Sequence, residues 1–499
     1  MEFKFNKSSI RCMHSVLHEV KDQELTQDVK LSEGMGDVGR ILACNGQIMV
    51  RNKQWRNGTF QLNGGVLAWI IYEPEAGGSS YCVETWMPFQ MRCDSAESDS
   101  DAIVSATALL RDISARQIAG RKLLVRAEIS VLFDAFVSEN TDVFEPCDLP
   151  DDVHVLRENY PIIVQWDQGD KTFSIDESLS LSDGCPLPKK ICSYNIYPVV
   201  SEQKIMGDKL LFRGVTSLHI VYKDDVGEIC GWNCELPFSQ YVQLEKECSA
   251  VGTSRVIPIV SSAELELSED GKIQWKAGIT CQYAIFDSYN LALVKDAYST
   301  KRKIHLHQDT LSVPAVLSRE TVTHDAQQPV NLGSVRTTMA SFAPEHPRVY
   351  SDADGYHVEI GGKFSVFGFD NEGVFRQVCS NWDDTFSVAA ADNVKLDVML
   401  IPNTKASVMN DGLKLTASAS LQLDVIAFAS DGIPMITGID VGEPVVFTEE
   451  RPGLIIKRAG DMCLWDIAKE SGSTVSAIKE ANGLQQEPNP DQVLLIPVI

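Results

Sequence analysis

The stretch from Lys272 to Tyr283 alternates strictly: Ile273, Trp275, Ala277, Ile279, Cys281 and Tyr283 are apolar, and the residues between them are polar or Gly. A period of two predicts a strand with one buried and one wet face. The pattern occurs twice more. From Lys122 it places Leu123, Val125, Ala127, Ile129, Val131 and Phe133 inward, and from Lys414 it places Leu415, Ala417, Ala419, Leu421, Leu423 and Val425 inward. In each copy the Ala is followed nine residues later by a Phe (Phe136, Phe286, Phe428). A chain with this signature three times over is a β-repeat protein. Each such strand buries several large side chains, worth about 1.5–3 kcal/mol apiece.

Other signals recur at the same spacing. Leu31-Ser32-Glu33-Gly34 returns 150 positions later as Leu181-Ser182-Asp183-Gly184, and Arg40-Ile41 returns as Lys190-Ile191. A second strand holds Phe60, Leu62, Val66, Ala68, Ile70 and Tyr72 around Gly64. Its second copy holds Leu210, Phe212, Leu218, Ile220 and Tyr222 around Gly214, and its third keeps Gly361 and Phe369. A Gly inside a strand predicts a bulge or bend. Pro88-Phe89, Pro237-Phe238 and Thr385-Phe386 follow, at 25, 24 and 25 residues from the Gly. The first residues, from about 3 to Val20, read as a strand and then a short helix. On that helix His14 and His18 would stand one turn apart, without further ligands to complete a metal site.

At 499 residues the chain has room for three to four domains. Its net charge is −25. From position 451 onward five cations face six acids, so nearly all of the negative charge lies in the first 450 residues. Such a surface repels nucleic acid and anionic lipid. No run of eighteen apolar residues exists to span a membrane, and the N-terminus lacks the basic-then-apolar pattern of a signal peptide. Thirteen cysteines without framework spacing predict reduced thiols and a cytosolic protein. Cys230 and Cys234, and likewise His305 and His307, share a strand face with no further ligand in view, so no metal or cofactor is expected. No phosphate loop, His-Glu-x-x-His or Gly-x-Ser-x-Gly occurs, so no enzyme activity is expected.

The last fifty residues read as strand, helix, helix, strand. Leu454 to Arg458 form the first strand, Asp461 caps a helix, and Ser473 caps a second that stops at Gly483. Val493 to Pro497 close the unit. Leu464, Ile467, Ala468, Val475, Ile478 and Ile496 form its expected core.

The repeat pattern from about residue 20 to 440, with the closing Asp296-Ala297-Tyr298-Ser299-Thr300, resembles the SPOCS spore-coat-associated domain family. The tail resembles a LysM domain through Gly460-Asp461, Leu464-Trp465-Asp466-Ile467-Ala468, Ala481-Asn482-Gly483-Leu484 and Gln492 to Pro497. The implied fold class is multidomain and mainly β. Three consecutive β-sandwich-like repeats (1-145 with an N-terminal extension, 146-300, and a divergent 301-447) precede a small βααβ LysM domain (451-499).

LysM domains bind N-acetylglucosamine polymers through two loops, here Gly460 to Leu464 and Leu484 to Asp491. That resemblance puts Gly460, Asp461, Met462, Cys463, Trp465, Asn482, Leu484 and Asp491 at a partner- or glycan-binding surface. Here the usual Gly-Asp-Thr-Leu-Trp is longer by one and lacks Thr, and Asp491 replaces a Gly. Both changes disfavour close approach to a sugar and favour a protein docking over Met462 and Trp465.

The combination resembles the SipL-type spore coat morphogenetic proteins. It implies a non-enzymatic scaffold in the mother-cell cytoplasm, at the forespore surface. The LysM tail would engage the stage IV sporulation ATPase of the coat basement layer and help tether the coat. The alternative is a peptidoglycan or N-acetylglucosamine-polymer binder. A wall-lytic enzyme would need a catalytic domain, which the sequence does not offer.

Overall fold

A computed structural model describes residues 5–96, 101–146, 149–182, 184–249, 251–332, 337–353, 355–389, 394–402, 404–410, 414–430, 432–445 and 452–499. Asp183 and Arg451, which belong to the sequence patterns above, lie outside them.

The first copy comprises β1 (Phe5–Lys30), β2 (Val38–Arg56), β3 (Thr59–Pro74), β4 (Tyr81–Asp94), β5 (Ile103–Ala119) and β6 (Lys122–Pro146). These form two three-stranded antiparallel sheets, β1-β6-β5 and β2-β3-β4. The second copy repeats the order with β7 (Val153–Leu179), β8 (Pro188–Met206), β9 (Lys209–Asp224), β10 (Ile229–Gln243), β11 (Thr253–Leu267) and β12 (Ile273–Ser299). Its sheets are β8-β9-β10 and β11-β12-β7, and the second continues beyond β7 into the third copy through the Ile163↔Val316 pair.

After β13 (Arg302–Leu311) comes the third copy. It runs β14 (Val316–Val330), β15 (Thr337–Pro344), β16 (Arg348–Asp352), β17 (Gly355–Phe369), β18 (Phe375–Val388), β19 (Val394–Ile401), β20 (Ala406–Asn410) and β21 (Leu415–Ala429). Two strands are broken here, β15/β16 around Pro347 and β19/β20 after Pro402. Proline lacks the N–H that a ladder needs. Finally β22 (Ile433–Pro444) pairs back with β13.

Within each copy the two sheets share one core. The inward row of β3 meets that of β6, where Phe60 and Phe133 pack edge to face at 5.0 Å. The rows of β9 and β12 meet likewise, as do those of β17 and β21. All three alternating stretches are strands, so the mainly-β, multidomain reading stands. Tyr283 departs from its row: it is only half-buried, while its neighbour Gln282 is buried and hydrogen-bonds the Ala106 backbone of the first copy.

The copies are fastened to one another. Ala43, Ile71 and Cys82 join Cys192, Val221 and Ile229, and then Met339, Phe367 and Phe375, in one small core drawn from all three. Asn45 and Asn195, 150 positions apart, hydrogen-bond each other at 2.7 Å in the buried seam. Asp424 accepts from Arg255 at 3.2 Å and from Arg319 at 2.9 Å, joining the second copy to the third. Cys82 and Cys192 are disulfide-bonded across the first and second copies, contrary to the expectation of thiols reduced throughout.

Three further expectations are corrected. Among the described residues there is no N-terminal helix: β1 is a single strand paired with β6 from end to end, apart from a register shift at Ser15/Leu17. His14 and His18 therefore bind separately, to Cys12 (3.0 Å) and to Asp134 (2.7 Å). The strand glycines do not bulge. Gly64 and Gly214 lie opposite Phe89 and Phe238. A Cβ on Gly214 would stand 1.9 Å from the Val199 carbonyl oxygen and 2.8 Å from the Phe238 ring. The register shifts fall on the facing strands instead, at Val50/Asn52 and Val200/Glu202. In the third copy the crowded glycine is Gly362, covered by Phe342, whereas Gly361 has room for a Cβ and Phe386 pairs with Val358.

Among the described residues no helix is long and apolar enough to cross a membrane.

Candidate functional site

The C-terminal unit runs β23 (Leu454–Arg458), α1 (Leu464–Ser471), α2 (Val475–Asn482) and β24 (Val493–Pro497), with β23 and β24 antiparallel. Leu464, Ile467, Ala468, Ile478, Leu494 and Ile496 are fully buried, and Val475 packs against them half-buried. Both helices end on a left-handed glycine, Gly472 (φ 63°) and Gly483 (φ 64°), a conformation that glycine adopts without steric cost.

The N-terminal caps differ from expectation. Asp461 does not cap α1. Cys463 holds the N-cap position, and the Leu464 N–H donates to the Glu487 carboxylate at 2.8 Å. Thr474, not Ser473, caps α2, accepting from the Ala477 N–H at 3.1 Å. Ser473 is buried beneath it.

These details shape the two loops. The Ala459 N–H donates to the Gln492 carbonyl and the Gly460 N–H to the Pro490 carbonyl, each at 2.9 Å. With Glu487 reaching Leu464, the loop Gly460–Leu464 is tied at both its ends to the loop Leu484–Asp491. The Gly460 and Leu464 N–H groups, at the two ends of the first loop, are thereby spent on the second loop rather than left for a sugar. Asn482 is also committed: its side chain donates to the Leu495 carbonyl (2.7 Å) and accepts from the Leu495 N–H (2.8 Å), extending the sheet as a strand would. Leu484 is half-buried in the core. Gly460, Asp461, Cys463 and Asp491 are exposed, and Met462 is half-covered with its sulfur 3.7 Å from the Lys457 ammonium.

Trp465 is not a free surface residue. Its indole N–H donates to Asp296 at 2.8 Å, and its ring meets Tyr298 edge to face at 4.8 Å. Lys469, one helical turn on, reaches the same carboxylate at 2.6 Å. The Tyr298 hydroxyl donates to the Ser473 carbonyl at 2.8 Å. Asp296 and Tyr298 end β12, so the unit is mounted on the last turn-in of the second sandwich. A register shift at Val294/Asp296 turns both toward the unit, while Ala297 points into the core behind. Just beyond, Ser299 and Arg302 clamp Asp152.

Burial alone would raise the Asp296 carboxyl, but the bonds from Lys469, Trp465 and the Ala297 N–H hold it below the usual carboxylate range. Burial pushes the Tyr298 hydroxyl up to about 12. The sequence presented Asp296 to Thr300 as a closing motif, but its role as a mount became visible only in three dimensions.

The other face of the small sheet is bare. Leu454, Ile456, Val493 and Leu495 are 51%, 67%, 56% and 40% exposed. Period two and the register Ile456↔Leu495 put all four on one side.

Two family models match the chain: SipL, SPOCS domain, over residues 188–266, and LysM domain, over residues 458–497. The first spans β8 to β11 of the second sandwich, and the second spans the C-terminal unit. Both families are non-catalytic. No curated protein and no solved structure matches.

Proposed function

We propose that this SipL-type chain, which joins a SPOCS domain to a LysM domain, is a non-enzymatic scaffold of spore coat assembly. Its LysM unit binds protein, namely the stage IV sporulation ATPase of the coat basement layer, and so tethers coat to forespore from the mother-cell cytoplasm. The three sandwiches take residues 1-145, 146-300 and 301-447, and the LysM unit takes 451-499.

The observation that carries this reading is the closure of the LysM loops on each other through Glu487, Pro490 and Gln492. A groove pinned shut at both ends, with the Gly460 and Leu464 donors spent on the facing loop, has less to offer an N-acetylglucosamine polymer. The exposed row Leu454, Ile456, Val493 and Leu495, in contrast, has the aliphatic character of a protein-docking patch. Docking centres on that row and the neighbouring Gly460, Asp461 and Cys463. Trp465 serves as the mount that holds the unit in one orientation.

The test is localisation in a sporulating cell. A fluorescent fusion of the full chain is expected to ring the forespore, and Ile456→Asp with Leu495→Asp is expected to disperse it. A fusion found on the vegetative wall, unaffected by the double substitution, would favour the glycan reading instead.

A further inference from the structure

The ribbon formed by β13 and β22 carries chemistry that the scaffold reading does not use. Strand alternation puts His305 and His307 on the same outward face of β13. Antiparallel pairing sets Asp440 directly across from His305, and Gly438 across from His307. The ligand atoms of His305, His307 and Asp440 all lie within 4.8 Å of one another. His307 Nε2 is already 2.7 Å from the Asp440 carboxylate, and the two imidazoles meet edge to face at 5.3 Å.

The absent side chain at Gly438 matters here. A Cβ there would stand 3.1 Å from His307 Cδ2, so glycine leaves the ring free to lean toward Asp440. The opposite face of the ribbon is fixed: Ile304, Leu306, Ile439 and Val441 pack with Val294 and Ala297 of β12. Three ligand groups thus project from a backbone held rigid by its own core, which is what a preformed metal site requires.

We propose that His305, His307 and Asp440 bind a divalent transition-metal cation of the zinc class. Two imidazoles select such ions over calcium and magnesium, which take oxygen ligands. Tetrahedral coordination at about 2.0–2.1 Å from each ligand separates neighbouring donors by about 3.3 Å. A small rotation of His307 and Asp440 away from their mutual hydrogen bond meets that spacing. Water completes the shell on the exposed side. The bound ion cross-links β13 to β22, and so braces the ribbon packed behind the mount at Asp296 and Tyr298.

Isothermal titration of the full-length protein with zinc, under reducing conditions, tests this. The wild type is expected to take up one more equivalent than His305→Ala/His307→Ala. Asp440→Asn is expected to weaken that equivalent at least tenfold, as is Gly438→Val, which touches no ligand atom. Cobalt(II) substitution reads the ligand type, and the spectrum of the extra equivalent should lack thiolate charge-transfer bands. Because the ligands are surface side chains, circular dichroism of the metal-free variants should match the wild type. His307→Gln provides a milder replacement should the double variant unfold. Equal stoichiometry in the wild type and the His variants would overturn the proposal, as would thiolate bands in the equivalent that is lost.

Discussion

Replacing Asp296 with Ala removes the acceptor shared by the Trp465 indole and the Lys469 ammonium. Lys469 is exposed and regains water, so its loss is worth little. The Trp465 bond is different, because it is charge-assisted and half-buried. Hydrogen bonds to charged groups contribute about 1.5–3 kcal/mol. Since 1.4 kcal/mol is a factor of ten, the ratio of mounted to released LysM unit should fall by about ten- to a hundredfold.

The unit itself should stay folded, because its core of Leu464, Ile467, Ala468, Ile478 and Ile496 does not involve Asp296. The assay follows the same proton. In protein labelled with 15N-tryptophan, solvent exchange of the Trp465 indole N–H should accelerate by that factor, while amides of α1 and α2 keep their protection. Scattering measurements should show a larger maximum dimension. An unchanged indole exchange rate would refute the mount. Lowering the pH should mimic the substitution. The Asp296 value is depressed on folding, so its contribution is whole above the unfolded value near 3.9 and disappears as the pH falls through the folded one.

Gly214→Ala should destabilise by about 1–3 kcal/mol or more in denaturant titration, since the new methyl meets a backbone oxygen that cannot swing away, whereas Gly361→Ala should be nearly silent. Asp424→Ala takes the carboxylate from buried Arg255, while Arg319 keeps its bond to the Ser254 carbonyl, and should cost about 3–5 kcal/mol, read as a lower thermal midpoint. Reduction of Cys82–Cys192, which closes a loop of 110 residues, should lower stability by up to about 4–5 kcal/mol in the chain-entropy limit. His18 is held above its ordinary value, chiefly by its hydrogen bond to Asp134. Its contribution is therefore complete below about pH 6.5 and lost as the pH rises through the folded value, a trend that His18→Gln should abolish in a melting series.

The sandwiches were legible because their information is local: a two-residue period marks which face is buried, and three copies agree. The LysM core was legible for the same reason, from helical spacing and terminal glycines. What stayed hidden depends on non-local pairing. Two histidines four apart suggested one helical face at His14 and His18, but β6 captures the segment as a strand. Gly361 looked equivalent to Gly64 by counting, yet the third copy turns sooner, and pairing moves the crowded position to Gly362. Asp461 had the chemistry of a cap, but Glu487 arrives from another loop. Trp465 read as an exposed anchor because nothing local shows that Asp296 and Tyr298 lie opposite it. The third ligand beside His305 and His307 was likewise more than a hundred residues away, on β22.

The most direct test of the scaffold account is a side-by-side binding measurement on the purified full chain. It should bind immobilised stage IV sporulation ATPase saturably, lose that binding with Ile456→Asp and Leu495→Asp, and leave purified peptidoglycan sacculi in the supernatant unbound. Sedimentation with the sacculi, together with no response to the ATPase, would contradict it.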